Sequence, residues 1–493
     1  MRLCVLGPSY QHSTSELRDH DPRCDPSVYL PEHSFEECLI DKATAVRHVG
    51  RLARRGFDVF VNLCDGAWDE DRPGIEVVHA LERLGLAFTG AGSSFYEPTR
   101  AAMKMACHYA GIATPAFAFA RDRMEAERAA ATLRYPIIVK HPNGYNSVGL
   151  TRDSRVTTPT QLLERADAAI EAYGGCLLEE FIEGREFTAL VAEPGEGESV
   201  PRAYPPIEFT FPPGESFKHF DLKWIDHATM QSVPVTDPAL SEAILQRSRD
   251  LFLSLGGTGY GRCDLRMNAE GELFMLEINP NCSVFYPTGS FGSADAILAL
   301  DRGGHRGFLE HLIACARRRQ RRALPAYEVH FDPSAGYGLR AARDLTIGEV
   351  VDRHEERAHH LVSRAHVERS WDEKHRRWYR QYAWPLTDDV AVMWSDRIED
   401  WRPLNHSCDP NTWLSGLDLV ARTAIRKGQA ITIDYATFCG PAMEDFPCSC
   451  ASVLCRGVVR GSDHLQAFVG ERYGDHVSDY VRRARRAREG AKD

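Results

Sequence analysis

The chain has 493 residues and a formal charge of −11, with 43% hydrophobic and 26% charged residues. At about 150 residues per domain this length predicts about three domains. The composition is that of a globular chain with real cores, which excludes a mini-protein or a wholly disordered protein. No apolar run approaches the ~18 residues of a membrane span. The start, MRLCVLGPSY, has no basic leader and no cleavage site, so it is interpreted as a first strand.

Charge and cysteines are distributed unevenly. The acidic excess lies almost wholly in residues 1–313, which argues against a nucleic-acid partner there. Nine of the 14 cysteines are scattered singly, as expected of reduced thiols in a cytoplasmic protein, whereas the last five crowd into 408–455. The Arg-rich stretch 314–325 is interpreted as a helix end plus a linker. The basic tail, 480–493, is interpreted as a solvated helix, with contact to an acidic peptide or a nucleic acid as the alternative.

Apolar spacing predicts the elements of the first 313 residues. Strands are expected at 3–7 and 58–64, with a helix closed by Gly56 between them and a second helix at 74–85. This alternation predicts a parallel α/β layer. The next predictions are a helix at 100–112, a strand, glycine loop and strand at 135–150, two strands around Gly184 at 176–191, and a hairpin at 259–281.

Candidate chemical groups lie at the ends of these strands. Lys140 ends an apolar strand beside the loop Gly144–Gly149, whose backbone N–H groups can approach phosphate oxygens, and Lys104 is a second cation for the same anion. Asp264, Glu277 and Asn279 offer oxygen ligands from facing strands, as Mg²⁺ favours. Arg262 lies two residues before Asp264, on the same strand face, where it could hold developing negative charge. Each residue alone also suits a solvated surface position; the ordered set is harder to dismiss.

That set resembles the ATP-grasp fold, and within it the D-alanine–D-alanine ligase group, over about residues 1–300. The matching segments are FVNLCDGAWDEDRPGIEVVHALE, LAFTGAG, MK at 103–104, YPIIVKHPNGYNSVGL, LLEEFIEGREFT, FDLKW and RCDL…FMLEINPN. The resemblance implies a parallel α/β N-terminal layer followed by two α+β subdomains.

The resemblance also implies residue roles. Lys104 and Lys140 would bind nucleotide phosphates, and Lys223 would lie at the lid or γ-phosphate side. Glu179 would meet the adenine amino group, Glu186 would meet the ribose, and the backbone of Glu180, Phe181 and Ile182 would read adenine. Asp264, Glu277 and Asn279 would hold Mg²⁺ or Mn²⁺, and Arg262 would stabilise the acyl-phosphate and tetrahedral states.

The implied reaction is amide formation from a small carboxylate and an amine, an amino acid or a peptide, through an acyl phosphate made from ATP. Three departures leave the substrates open. Asp65 stands where those ligases usually have His, and the phosphate loop reads Gly-Tyr-Asn-Ser. After Asn279 the chain reads PNCSVFYPTGS, where those ligases usually have Leu-Pro-Gly-Met-Thr. The resembled ligases are commonly dimers, and the sequence leaves a homodimer open.

A second module begins near residue 326. Gly336 and Gly338 flank Tyr337 and allow close backbone approach to a ligand, although a lone Gly-x-Gly more often marks a turn. Cys448, Cys450 and Cys455 place three thiols within eight residues, and Cys408 is the natural fourth ligand of a tetrahedral Zn²⁺. Four thiolates leave no open position, so the metal is predicted to be structural. Cys439 is off this spacing and is interpreted as a buried thiol.

Residues 327–460 resemble a SET domain, a mostly-β fold, with a post-SET zinc segment. The resemblance rests on Asn-His-Ser-Cys-x-Pro-Asn and Cys-x-Cys-x4-Cys-Arg-Gly, and it implies N-methylation of lysine-type amines by S-adenosylmethionine. Residues 352–400 would be the variable insertion that helps form the substrate groove. Ile433 stands where many members carry Phe or Tyr, which leaves the number of transferred methyl groups open. The methyl donor would be bound by Gly336, Tyr337, Gly338, Asn405, His406 and Tyr435. Tyr435 would also be catalytic; the alternative interpretation is that it is a core tyrosine.

The predicted organisation follows from both resemblances. We expect an N-terminal α/β subdomain at 1–100, ATP-grasp subdomains at 101–313, an Arg-rich linker at 314–325, a SET domain at 326–440, a post-SET zinc segment at 441–460 and a basic helix or tail at 461–493. The leading hypothesis is a bifunctional cytoplasmic ligase and N-methyltransferase. The alternatives are a protein-lysine methyltransferase whose first half binds substrate or regulates, and a binding module without activity.

Overall fold

The structure is a computed structural model, and it describes residues 1–15, 18, 21–144, 149–225, 229–287, 289–290, 292–333, 336–355, 359–393 and 401–490. The chain divides into two compact units, Met1–Ala323 and Leu324–Asp493. No helix in the described part of the chain combines the length and apolar character needed to cross a membrane.

The first unit opens with the predicted parallel layer. Strands β1 (Arg2–Pro8), β2 (Ser34–Ile40) and β3 (Val59–Asn62) pair in parallel in the order β2-β1-β3, with helices α1 (Ala45–Ala53) and α2 (Ile75–Arg83) between and after them. The central strand β1 is almost fully buried, as its apolar run requires. Strand β2 was not predicted, because SFEECLI mixes charged and apolar residues at a sheet edge.

The second layer is an antiparallel sheet in the order β4-β7-β5-β6, covered by two helices. Asp122 and Thr158 begin these helices by accepting a backbone N–H, as N-caps do. The elements are α3 (Arg100–Tyr109), β4 (Phe117–Ala120), α4 (Arg123–Thr132), β5 (Ile137–Lys140), β6 (Arg155–Val156), α5 (Pro159–Tyr173) and β7 (Cys176–Glu180).

The third layer is a second sheet in the order β11-β10-β8-β12-β13, with β9 paired to β8. The two strands around Gly184 therefore form as predicted but belong to different sheets. The elements are β8 (Arg185–Ala192), β9 (Arg202–Ala203), β10 (Ile207–Thr210), α6 (Phe220–Trp224), β11 (Gln231–Pro234), α7 (Pro238–Ser254), β12 (Tyr260–Met267), β13 (Leu273–Pro280) and α8 (Ser293–Leu300).

The Arg-rich stretch is helical as far as the end of the first unit. Helix α9 (Gly304–Ala323) runs through it, and the unit boundary follows directly at Leu324. Arg319 pairs with Glu193 and donates to the carbonyl oxygens of Phe88 and Gly90. The helical part of 314–325 is thus anchored to the first unit, and only residues 324–325 remain outside the helix.

The second unit is mostly β, as predicted. Its sheets have the orders β14-β15-β23-β20, β16-β22-β21, β17-β19-β18 and β24-β25 around an aliphatic core. Its strands are β14 (Tyr327–Asp332), β15 (Gly336–Ala341), β16 (Val350–Asp352), β17 (His360–Ser363), β18 (Trp384–Pro385), β19 (Val390–Met393), β20 (Asn405–His406), β21 (Thr412–Ser415), β22 (Asp418–Ala421), β23 (Ala430–Ile433), β24 (Phe446–Pro447) and β25 (Val458–Val459).

Four α-helices lie among the described residues of this unit. They are α10 (Arg364–Ser370), α11 (Glu373–Tyr382), α12 (Ala467–Tyr473) and α13 (Asp479–Gly490). The basic tail is the predicted helix, α13, and it is amphipathic. Tyr480 and Val481 are buried in a small cluster with Val469 and Tyr473, while Arg483, Arg486 and Arg488 are exposed.

Candidate active sites

The β12–β13 hairpin brings the predicted magnesium ligands together. Asp264 is opposite Glu277 and Arg262 is opposite Asn279 in the antiparallel register. The Asn279 amide donates to Asp264 Oδ2 at 3.2 Å and to Glu277 Oε1 at 2.9 Å. Arg262 forms an ion pair with Asp264 across 3.0 Å. Three oxygen-bearing side chains and one cation thus occupy one end of the hairpin.

Asp264 is held in its charged form. Burial alone would raise the pKa of this carboxyl, but Arg262, Lys218 and a hydrogen bond from Thr188 hold the pKa well below its usual range. The Thr188 hydroxyl donates to Asp264 Oδ1 at 2.7 Å from the neighbouring strand β8. An anionic carboxylate, rather than a carboxylic acid, is the form that binds a divalent cation.

A second charged cluster has Glu179 at its centre. Lys140 on β5 donates to Glu179 Oε2 at 2.6 Å, and Lys104 on α3 pairs with the other oxygen. Burial alone would raise the pKa of Glu179, but the two lysines hold it well below its usual range. Burial lowers the pKa of Lys140. The structure therefore brings both predicted phosphate-binding lysines to one carboxylate; the adenine contact of Glu179 stays a prediction.

The predicted adenine hinge follows Glu179 directly. The N–H groups of Glu180 and Phe181 donate to the carbonyl oxygens of Ala116 and Pro136. A ligand at these two residues can therefore use their carbonyl groups but not their N–H groups. The Glu180 side chain is occupied as well, since its carboxylate forms a two-point pair with Arg134.

Glu186 and Lys223 complete the predicted nucleotide site. Glu186 on β8 pairs with Arg266 at 3.1 Å and with Lys218 at 3.4 Å. Lys223 lies on α6, where burial and the nearby cations Arg262 and Lys218 lower its pKa to about 7. An anion that approaches Lys223 would stabilise its charged form, which burial and the neighbouring cations disfavour.

One cavity of 240 Å³ connects these clusters. Lys104 and Asn279 are outside its wall, but each bonds a residue in the wall. Residues 145–148 of the predicted phosphate loop lie outside the described residues. The predicted site residues in the wall are Lys140, Glu179, Glu180, Phe181, Ile182, Glu186, Lys223, Arg262, Asp264 and Glu277.

Sequence reasoning missed three cations in this wall, Arg100, Lys218 and Arg266. Arg100, at the start of α3, pairs with Glu277 and donates to the Gly144 carbonyl at 2.7 Å. Lys218 reaches Glu186. The spacing of Arg100 and Lys104 by one helical turn was an available signal, because residues four apart share a helix face. The sequence around Lys218 contains no motif that indicates a site residue.

The departure at Asp65 also has a defined place. Asp65 pairs with the buried Arg72 at 2.9 Å and accepts a hydrogen bond from Ser283 at 3.1 Å. Ser283 and Tyr286 line the same cavity. Part of the segment that departs from the resembled ligases therefore borders this cavity, and Asp65 contacts that segment through Ser283.

The second unit holds a larger cavity of 1220 Å³. Gly338 packs against Asn405, and a Cβ at this position would lie 2.5 Å from the Asn405 amide nitrogen, so a larger residue would displace that side chain. Gly336 has a φ of +77°, which also favours glycine. The described part of 352–400 contributes Tyr382 and Trp384 to the wall, while 356–358 and 394–400 lie outside the described residues. The predicted site residues in the wall are Gly336, Tyr337, Asn405 and Tyr435.

Tyr435 occupies a turn beside this cavity. Its hydroxyl donates to the Leu404 carbonyl at 2.7 Å, and its backbone N–H donates to His406 Nδ1 at 3.2 Å. Burial raises the pKa of Tyr435, so the phenol stays protonated. Ile433 and Leu414 are also in the wall. Arg402, three residues before Asn405, lines the cavity too and was missed by sequence reasoning.

The four predicted zinc ligands converge. The sulfur atoms of Cys408, Cys448, Cys450 and Cys455 all lie within 4.8 Å of one another. This donor set and spacing fit a tetrahedral thiolate site for Zn²⁺. Cys439 is outside the group and lines the cavity beside Tyr435.

Comparisons with known proteins match both units. The family model for the D-Ala–D-Ala ligase C-terminus matches residues 106–284, and the SET domain model matches residues 336–436. The chain is 32% identical over 238 residues to a D-alanine–D-alanine ligase from Cupriavidus necator, covering 48% of this chain and 69% of the relative. It is 29% identical over 202 residues to one from Pseudomonas fluorescens, covering 40% and 59%.

A search of solved structures found similar chains. The D-alanine–D-alanine ligase from Bacillus anthracis has a TM-score of 0.47 at 18% identity, with 65% of this chain and 99% of that chain covered. The D-alanyl-alanine synthetase A from Vibrio cholerae has a TM-score of 0.49 at 16% identity, with 64% and 98% covered.

Proposed function

Because the chain belongs to the D-alanine–D-alanine ligase family through its first unit and carries a SET domain in its second, we propose that it is a bifunctional enzyme. The first unit would join a carboxylate to an amine with ATP, and the second would methylate a lysine-type amine with S-adenosylmethionine. The observation that carries the ligase proposal is one cavity bordered by the Lys140–Glu179 pair and by the Arg262–Asp264 pair.

The proposed ligase reaction has two steps. A carboxylate oxygen of the first substrate attacks the γ-phosphorus of ATP, the bond from that phosphorus to ADP breaks, and an acyl phosphate forms. The amine nitrogen of the second substrate then attacks the acyl carbon, phosphate leaves with the C–O electron pair, and the nitrogen loses its extra proton. Positioning and charge neutralisation are the protein's contribution.

Each charged group has a role in this scheme. Lys104 and Lys140 would hold phosphate oxygens, and their pairing with Glu179 keeps them oriented before the nucleotide binds. Arg262 would neutralise charge on the acyl phosphate and the tetrahedral state, and Lys223 would approach the γ-phosphate side. Closure of the cavity around the substrates would protect the acyl phosphate from water.

Asp264, Glu277 and Asn279 fit Mg²⁺, because they offer hard oxygen ligands from one hairpin end and Asp264 is kept anionic. When bound, the ion would neutralise phosphate charge. Mn²⁺ fits the same oxygen set. The surrounding residues Arg100 and Thr188 hold Glu277 and Asp264 in place through their contacts.

The methyl transfer is a single displacement. A neutral amine nitrogen attacks the sulfonium methyl carbon, the C–S bond breaks, and S-adenosylhomocysteine leaves. Burial and the sulfonium charge both lower the pKa of the bound amine, so its proton can leave to solvent. The protonated Tyr435 hydroxyl and the Leu404 carbonyl would orient the methyl group and the amine. Gly336, Tyr337, Gly338, Asn405 and His406 would bind the donor.

The four clustered cysteines would hold a structural Zn²⁺. When bound, the ion would cross-link Cys408 to the segment 448–455 and add to the stability of this unit. Four thiolate ligands would leave this ion no open position for catalysis.

The test uses the full chain with ATP, Mg²⁺, methyl donor and a panel of amino acids and short peptides, read by mass spectrometry. An ATP-dependent amide and a donor-dependent mass gain of about 14 Da per methyl group are expected. An Asp264→Asn variant should lose the amide, and Tyr435→Phe should lose only the methyl group. No ATP-dependent turnover in any combination would reject the ligase proposal.

The same variants discriminate the alternatives. If Asp264→Asn leaves methylation of a protein lysine intact and no amide forms with the parent chain, the first unit binds substrate or regulates. If the parent chain shows neither ATP-dependent nor donor-dependent turnover, the chain is a binding module.

A further inference from the structure

The turn that carries Tyr435 is capped by a buried carboxylate. Asp434 is fully buried, and its side chain accepts the backbone N–H of Ala436 at 3.0 Å within the turn Tyr435–Thr437. A buried charge is costly unless it is paired and hydrogen-bonded. The position of this turn therefore depends on what else Asp434 contacts.

The main partner of Asp434 is Arg456. The two terminal guanidinium nitrogens donate to the two carboxylate oxygens at 2.6 and 2.8 Å, a two-point geometry. The Arg456 Nε donates to Asp463 at 3.1 Å, and the Tyr473 hydroxyl donates to Asp434 at 2.9 Å. Every nitrogen of the guanidinium is thus directed to a carboxylate, so the side chain has one orientation.

Arg456 is also fixed at its backbone by the cysteine cluster. It directly follows Cys455, and its backbone N–H donates to Cys408 Sγ at 3.3 Å. One residue thus contacts a cluster thiol through its backbone and the cap of the Tyr435 turn through its side chain.

A second path joins the same two places. Tyr435 donates its backbone N–H to His406 Nδ1 at 3.2 Å, so Nδ1 must be the unprotonated nitrogen. The proton then belongs on Nε2, which lies 3.3 Å from Cys408 Sγ and donates to it. This tautomer is assigned from the hydrogen-bond network. A thiolate bound to a metal is the natural acceptor for both donors.

We infer that Arg456 is a positioning residue for methyl transfer, which acts through Asp434 and makes the placement of Tyr435 depend on the cysteine cluster. The inference rests on the methyl transfer proposed above. It goes beyond a stabilising role for the metal site, because it assigns the contact that connects that site to the reacting tyrosine. The His406 path supports the same turn from the other side.

The test compares three variants of the full chain with the parent. Arg456→Lys keeps the charge but loses the two-point fork, and Arg456→Met removes the charge. Arg460→Met is the matched control, because Arg460 belongs to the same segment, and its side chain is half exposed and approaches Asp445 at 3.9 Å. Zinc content, affinity for the methyl donor by calorimetry, kcat, and fluorine NMR of 3-fluorotyrosine-labelled protein are measured for each. The Tyr435 resonance is the one absent in Tyr435→Phe.

Both Arg456 variants should retain zinc and bind the donor within about 3-fold of the parent, yet lose kcat. A misplacement of about 1 Å can cost on the order of 100-fold, so a loss of 10- to 100-fold is expected. The Tyr435 resonance should shift in both, and Arg460→Met should match the parent in every measurement. Arg456→Lys keeps the experiment decisive if Arg456→Met does not fold.

Parent-like kcat and an unshifted Tyr435 resonance in Arg456→Lys would overturn the inference. Loss of zinc or of folding in both Arg456 variants would also overturn it, since the contact would then stabilise the unit and not the turn. Failure of the proposed function is distinguishable: the parent would then transfer no methyl group, while the resonance shift in the Arg456 variants would still occur.

Discussion

The two units build their sites from different chemistry. The first unit uses charged side chains from separate parts of the chain, such as Lys104, Glu179 and Asp264. These side chains form ion pairs with oppositely charged neighbours. The second unit lines its cavity with aromatic, aliphatic and charged residues together, and its four clustered thiols lie outside that wall. In the first unit, the ion-paired side chains that shape the site are also the groups proposed to bind the reacting phosphates. In the second unit, the clustered cysteines are distinct from the proposed reacting residue, Tyr435.

This difference predicts different consequences of mutation. Removing a charge in the first unit should lower the rate of amide formation while the sheets keep their fold. Removing a clustered thiol in the second unit should lower stability first, because the four sulfurs bring Cys408 together with the segment 448–455 and lie outside the cavity wall. Four experiments test this contrast.

The largest effect is expected at the hairpin of the first unit. Glu277→Gln removes an anionic ligand and leaves Arg100 beside a neutral amide. The amide-forming rate should fall about 100- to 1000-fold, the range seen when one preorganised electrostatic group is removed. Methyl transfer should be unchanged. Glu272→Gln, an exposed residue of the same hairpin, is the control and should keep both rates. Equal loss in the control would contradict this assignment.

The next effect is expected at Tyr435. Tyr435→Phe removes the hydroxyl and leaves the Leu404 carbonyl without this donor. Methyl transfer should fall about 10- to 100-fold, since one hydrogen-bonding group at the reacting centre is lost. The ATP-dependent rate of the same protein serves as an internal control and should not change. A parent-like methylation rate would show that Tyr435 is a core tyrosine.

The thiol cluster should affect the stability of the second unit. Cys450→Ser removes one of the four clustered sulfurs, so zinc should be lost and the unfolding transition of the second unit should move to lower temperature. Calorimetric scans should leave the transition of the first unit in place. Cys439→Ser, outside the cluster, should keep both the metal and the transition. Retention of zinc in Cys450→Ser would contradict the assigned ligand set.

The smallest effect is a pH dependence of the first unit. The two lysines hold the pKa of Glu179 below its ordinary value of 4.5. The folded state then binds this proton less tightly than the unfolded state, so the contribution is complete above about pH 4.5 and is lost as the pH falls. Denaturant unfolding between pH 6 and 3 should show a steeper loss for the parent than for Glu179→Gln. Equal slopes would mean that the pair adds no pH-dependent stability.

Much of the first site was predictable because its fold brings strand ends together in a known order. The spacing of Arg262, Asp264, Glu277 and Asn279 predicts a hairpin, and antiparallel pairing then requires those side chains to meet. The place of Arg100 in this site could not be predicted in the same way. Its contact with Glu277 spans 177 positions of sequence and depends on how α3 packs against β13.

The sequence by itself determined the local patterns: the parallel layer, the hairpin with its ordered ligands, and the clustered thiols near the C-terminus. These depend on periodicity and short spacing, which act over a few residues. Only the tertiary structure decided that Glu179 joins two lysines, that α9 continues through the Arg-rich stretch, and that Arg456 connects the cysteines to Asp434. Those contacts join residues that are distant along the chain, and buried charges select their partners only when the chain has folded around them.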